Sequence, residues 1–189
     1  MYNKKNSGHD DSLQKGHEFQ DFVCMELAKR GIILQNIQSR KYQYAIGENL
    51  QGFEIKYDAR CTGCPKDPKK GKPTGRLSIE IAEKSDAANP EYVKSGIYAK
   101  SNSWLYIQGN YNGIWIFSTK HLRMLHERKK EHEIYSLPTI VKYYIPLDYA
   151  DKICLIRIDF DGSKLPDQKA VDDYIYRSKE IYKQLQMFS

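Results

Sequence analysis

A period of two, appearing twice, constrains this chain most. In Gly52-Phe-Glu-Ile-Lys-Tyr-Asp58, Phe53, Ile55 and Tyr57 alternate with Glu54, Lys56 and Asp58; in Arg76–Lys84, Leu77, Ile79 and Ile81 alternate with Ser78, Glu80 and Ala82. Alternation of this kind fits a strand and not a helix, because successive side chains of a strand point to opposite faces. Each segment therefore has one apolar and one polar face. As neighbouring strands they bring Glu54, Lys56 and Glu80 onto one surface.

The flanking segments supply the rest of a fold. After a flexible leader, 1–10, Asp11 or Ser12 caps a helix to Arg30, with Leu13, Phe19, Phe22, Val23 and Leu27 on one side and Gly31 as its stop. This helix is expected to pack on the sheet, with Glu18, four residues before Phe22, flanking the buried stripe. Ile32–Gln38 and Lys41–Ile46 read as strands, and Gly47-Glu-Asn49 turns into the Phe53 strand to form a meander. Trp104–Gln108 and Ile114–Phe117 form a hairpin around Gly109–Gly113. Ser118 caps a second helix, Thr119 to Glu133, with Leu122 and Leu125 inward; His121, His126 and His132 share no ligand face and read as solvated. Ile140–Pro146 and Ile153–Phe160 are further strands, and Pro166–Met187 has the apolar spacing of a closing helix.

The order of elements predicts an α/β (α+β) fold: a mixed central β-sheet flanked by helices. At 189 residues one domain, 1–189, is enough, with residues 12–117 carrying the motifs and 118–189 completing the fold. No glycine-rich nucleotide loop follows any strand.

Charge and cysteine usage narrow the partners. A net charge of +6 and a pI near 9.0 favour a polyanion. No window approaches the roughly 20 apolar residues of a membrane span, and the N-terminus has no apolar core, so a cytoplasmic protein with reduced thiols is expected. Cys61-Thr-Gly-Cys64 has no second pair to complete a zinc site. Between the two acidic strands, Ala59–Arg76 carries Arg60, Lys66, Lys69, Lys70, Lys72 and Arg76 against the single acid Asp67. This segment reads as a basic flap for phosphates.

Carboxylates beside a lysine have a specific use next to such a flap. Hydrolysis of a phosphodiester at neutral pH uses hard divalent cations held by carboxylates to generate hydroxide and offset phosphoryl charge. A lysine can position the water and stabilise the transition state. Glu54, Lys56 and Glu80 supply these groups, with Glu18 or Glu48 as a further oxygen ligand.

In this arrangement the chain resembles the PD-(D/E)XK nuclease superfamily, of restriction-endonuclease-like fold, over residues 12–117. Glu54 looks like the family's first strand acid, Glu80 like the second and Glu18 like the helical glutamate. The pattern departs from the family at Ala82, where the lysine is expected. Of the two replacements, Lys84 lies about 13 Å beyond Glu80 along a regular strand, too far unless a bulge intervenes, and Lys56 about 7 Å from Glu54 on the same face, which favours Lys56. A second register takes Glu48 as the first acid and Glu54-Ile-Lys56 as the acid-x-lysine motif, with Glu80 additional. Gln108 and Tyr111, and His17 beside Glu18, are weaker candidates.

The resemblance implies a Mg²⁺- or Mn²⁺-dependent DNA endonuclease, possible in a restriction or mobile-element system and dimeric if both strands are cut. Metal ligands would be Glu54, Glu80, Glu18 and Glu48; the catalytic lysine would be Lys56 or Lys84. The competing expectation, supported by Ala82, is an inactive DNA-binding or protein-interaction module on the same fold.

Overall fold

In the first of two units, the helix α1 (Ser7–Lys29) buries Phe19, Phe22, Val23, Leu27 and Ala28, which recur at helical spacing. Its end is set by Gly31, at φ 83°. Gly31 N–H donates to the Ala28 carbonyl at 2.9 Å and Ile32 N–H to that of Leu27 at 3.0 Å, a closure that needs a left-handed residue. The helix starts upstream of the expected caps, within the segment read as a leader, and Leu13, assigned to the buried stripe, is exposed.

The computed structural model describes residues 7–37, 39, 41–43, 47–63, 72–100, 103–128, 134–136, 138–160, 176 and 180. It divides into Met1–Gln35 with Ser163–Ser189, and Asn36–Gly162. Tyr176 and Glu180 are helical; the rest of the expected closing helix lies outside the described residues.

The second unit holds eight strands among the described residues: β1 (Phe53–Tyr57), β2 (Arg76–Glu83), β3 (Val93–Lys94), β4 (Leu105–Asn110), β5 (Gly113–Ser118), β6 (Ile134–Ser136), β7 (Ile140–Pro146) and β8 (Ile156–Asp159). Two helices, α2 (Thr119–Arg128) and α3 (Leu147–Ile153), join them. The class is mixed α+β, but there are two four-stranded sheets instead of one, ordered β1-β4-β5-β8 and β3-β2-β7-β6.

The expected neighbours β1 and β2 are therefore not paired. β1 runs parallel to β4, with Glu54 opposite Tyr106 and Lys56 opposite Gln108. Its first three residues are all buried, the condition under which parallel pairing is favoured. β2 pairs antiparallel with β7 and bulges between Glu80 and Ala82. Alternation defines the faces of a strand and leaves its neighbour undetermined.

Three other segments differ from expectation. Lys41–Gln43 is helical: Tyr42 and Gln43 N–H both donate to the Ser39 carbonyl, and Gly47 N–H to that of Gln43. Tyr42 is exposed, and residues 44–46 of the expected strand lie outside the described residues. Ile32–Gln38 makes a single antiparallel bridge, Asn36 with Asn49, among its described residues. The expected strand Ile153–Phe160 is shortened by α3, which begins directly after Pro146.

One core joins both sheets. Leu77, Ile79 and Ile81 of β2 and Val141, Tyr143 and Ile145 of β7 meet Tyr106, Trp115 and Phe117 of β4 and β5, with Leu122 of α2 and Ala150 of α3. Burial of each large apolar side chain contributes about 1.5–3 kcal/mol before entropy is subtracted. No helix among the described residues is long and apolar enough to cross a membrane.

Candidate active site

The turn before β1 fixes the first carboxylate. Asn49 is fully buried and imitates a strand partner, its Nδ2 donating to the Phe53 carbonyl at 2.7 Å and its Oδ1 accepting from Phe53 N–H at 2.9 Å. This pins Glu48 beside β1, where its Oε2 accepts the Ile55 N–H at 3.0 Å. On the strand itself Lys56 Nζ lies 3.0 Å from Glu54 Oε1 and 3.5 Å from Glu48 Oε1. Glu54 is buried and Lys56 half-buried.

Glu80 reaches the same place from the other sheet. It lies within electrostatic range of both Glu54 and Lys56, and Ser95 Oγ donates to its Oε1 at 2.6 Å. Gly96, at φ 51°, packs so closely that a Cβ would stand 2.3 Å from the Glu80 carbonyl oxygen. On β7, Lys142 is the register partner of Glu80.

Three carboxylates thus surround one ammonium. Burial disfavours charge on Lys56, yet Glu54, Glu48 and Glu80 outweigh it and hold its pKa well above the ordinary value. Glu54 is raised chiefly by burial, with Lys56 opposing and Glu48 and Glu80 adding to the rise. Burial also raises Glu83, which senses Glu80 and Lys56. The phenol of Tyr106, opposite Glu54, is raised well above its usual range, again chiefly by burial.

Asp58 closes the far end of β1. Its Oδ2 accepts Ser78 N–H at 2.9 Å and Gln108 Nε2 at 3.3 Å, tying β1 to β2 and β4. This is the place of Gln108; Tyr111 is buried edge-on against Tyr57. A cavity of about 540 Å³ opens beside Ser95 and Glu83, with Lys94, Lys100 and Gln43 also on its wall.

The donors suit a hard cation. Among the described residues no group of three or more His, Cys, Asp or Glu is arranged to hold a metal ion. Mg²⁺, however, is held by one or two carboxylates with water and substrate oxygens completing its octahedron, so Glu54 with Glu80 or Glu48 fits it and an all-protein cage is not needed.

Of the other sequence candidates, Lys84 points elsewhere, its Nζ 4.3 Å from the centroid of Tyr92. Glu18, exposed, accepts from Gln14 at 3.1 Å in the unit that contains α1, and His17 is exposed there too. Of the flap, Arg60, Lys72 and Arg76 are exposed, Arg76 lying 3.8 Å over Tyr144. Lys66, Lys69, Lys70 and Cys64 lie outside the described residues. His126, read as solvated, is buried, its Nδ1 2.8 Å from Tyr98 Oη and its ring against Tyr143. Helical spacing showed it one turn from Leu122, a signal outweighed by the basic residues around it.

Sequence reasoning missed Tyr106, Ser95 and Lys142. Ser95 lies in a loop without periodicity. Tyr106 carried a signal, an inward tyrosine in a strongly apolar strand, whose meaning depended on the unforeseen β1–β4 pairing.

Fold and site together define a mixed α+β protein with a buried carboxylate–lysine centre built at the meeting of two sheets. Comparison with protein-family models, with curated proteins and with solved structures returns no match.

Proposed function

We propose that the chain is a metal-dependent phosphodiester hydrolase, a DNA endonuclease of the PD-(D/E)XK kind. The observation that carries this reading is the grouping of Glu48, Glu54 and Glu80 around Lys56, where three acids face one base in a site that buries Glu54. An unbalanced buried charge is costly, and a divalent cation would offset it. The geometry favours the register in which Glu48 is the first acid, Glu54-Ile-Lys56 the acid-x-lysine motif and Glu80 an additional ligand.

Mg²⁺ bound by these carboxylates would supply Lewis acidity at the phosphoryl group and an activated water. Lys56, held protonated by its neighbours, would donate a hydrogen bond to an attacking water and offset negative charge on the phosphoryl oxygens. Glu48 fixes the lysine, and Ser95 fixes Glu80. Arg60, Lys72 and Arg76 bind DNA backbone, with Lys66, Lys69 and Lys70 as further contacts in the same segment. Cutting both strands from one site per chain implies a homodimer.

A second reading, a DNA-binding module without chemistry, draws on Ala82 and on the ion pairs by which Lys56 already partly neutralises the acids. Incubation of the protein with supercoiled plasmid and Mg²⁺ separates the two. Nicking by wild type and none by Glu54→Ala is expected. Intact plasmid accompanied by salt-sensitive DNA retardation selects the binding module.

A further inference from the structure

β4 brings to this site a residue that belongs to none of the acid and lysine positions. Tyr106 stands opposite Glu54 in the parallel register and is 1% exposed. Its Oη is buried and has no hydrogen-bond partner. The charges it senses are Lys56, Glu54 and Glu80, and the Glu80 main chain comes near without completing a hydrogen bond of normal geometry.

The donors around it are committed. Ser95 Oγ serves Glu80, Gln108 Nε2 serves Asp58, and Lys56 Nζ serves Glu54 and Glu48, which leaves one of its three N–H groups for a ligand. The Tyr106 hydroxyl is a fully buried donor at this place that has no acceptor. A ring that only filled the core would pack equally well as phenylalanine and avoid the cost of burying an unpaired hydroxyl. An acidic cluster with an unpaired, fully buried donor aimed into it has the form of a site whose last acceptor arrives with its ligand.

We propose that Tyr106 is a ligand-binding residue of the Glu54–Glu80 site, its Oη donating a hydrogen bond to an oxygen atom, of water or of a phosphoryl group, that the bound species brings in. Carboxylates repel a phosphoryl oxygen, whereas a neutral phenol and the Lys56 ammonium attract it, so the two donors divide the ligand's oxygens between them. The inference rests on the hydrolytic reading for the identity of the ligand, and on the unpaired hydroxyl for its existence.

Tyr106→Phe in the full chain removes the oxygen and keeps the ring. Its ligand-free melting temperature is expected to equal or exceed that of wild type, by up to about 5 °C, because an unpaired polar atom has been removed. Calorimetry with Mn²⁺ alone, and then with inorganic phosphate added to the Mn²⁺-saturated protein, locates the acceptor. A loss of about 5- to 50-fold in Mn²⁺ affinity identifies a water, and the same loss only in the phosphate titration identifies a phosphoryl oxygen. In plasmid cleavage kcat falls while KM changes little. A variant that melts lower or fails to fold, unchanged affinities in both titrations, or a wild type that binds neither probe overturns the assignment. Wild type that binds Mn²⁺ more tightly than Tyr106→Phe yet cuts no DNA removes the hydrolytic reading and leaves Tyr106 as a ligand-binding residue.

Discussion

At Lys56 burial and charge pull in opposite directions, and the carboxylates win. Its raised pKa contributes stability that is fully present below the ordinary value of 10.5 and is lost as pH rises through the higher folded value. Glu54 is also raised, so the folded state takes up its proton before the unfolded chain does. Its contribution is therefore fully present below the ordinary 4.5 and lost as pH rises through the folded value. Urea titrations of wild type and Glu54→Gln are expected to show the stability difference moving in favour of wild type as pH falls from about 7 towards 4.5; movement the other way means the ion pair with Lys56 dominates burial. Gly96 is the second residue where the site is exposed to a small change. Gly96→Ala forces a methyl group against the Glu80 backbone and adds left-handed strain, and a loss of about 1–3 kcal/mol is expected in the same titration.

Among the elements, α3 and β8 are joined by charge whose worth lies mainly in one buried contact. Asp151 Oδ1 accepts the indole N–H of buried Trp115 at 2.7 Å and the Arg157 guanidinium at 2.8 Å, while Arg157 also binds Asp159. The arginine pairs are exposed and contribute tenths of a kcal/mol. The indole is not, so Asp151→Ala is expected to cost about 2 kcal/mol and Asp151→Asn, which keeps an acceptor, clearly less, by thermal melt. This scale also shows what the sequence disclosed. The hairpin of β4 and β5 was legible because two short apolar runs flank a Gly-Asn-Tyr-Asn-Gly turn, and β7 because buried residues alternate along it. The partners of β1 and β2 were not, since pairing is decided by which faces the core must cover, and α3 falls largely in the stretch between two expected strands to which no element was assigned. Glu54, Lys56 and Glu80, picked out by type and spacing, lie together in the structure; Tyr106 needed the parallel pairing, and the contact of Lys84 with Tyr92 depends on a bulged β2 that spacing along a regular strand does not describe.

On the scale of the whole molecule, the sequence carries a net charge of +6, while three acids face one lysine at the candidate site. Under the proposed function, the positive charge would attract a polyanion and the acids would recruit a divalent cation. In the proposed function, the Glu54–Lys56 pair is where the chemistry would occur. The most direct test compares Mg²⁺-dependent plasmid cleavage, under single turnover, by wild type, Lys56→Ala and Lys84→Ala. Cleavage by wild type, a loss of about 10²–10³-fold for Lys56→Ala and little change for Lys84→Ala are expected. An uncut plasmid with wild type, or activity that survives in Lys56→Ala and vanishes in Lys84→Ala, would contradict the proposed function.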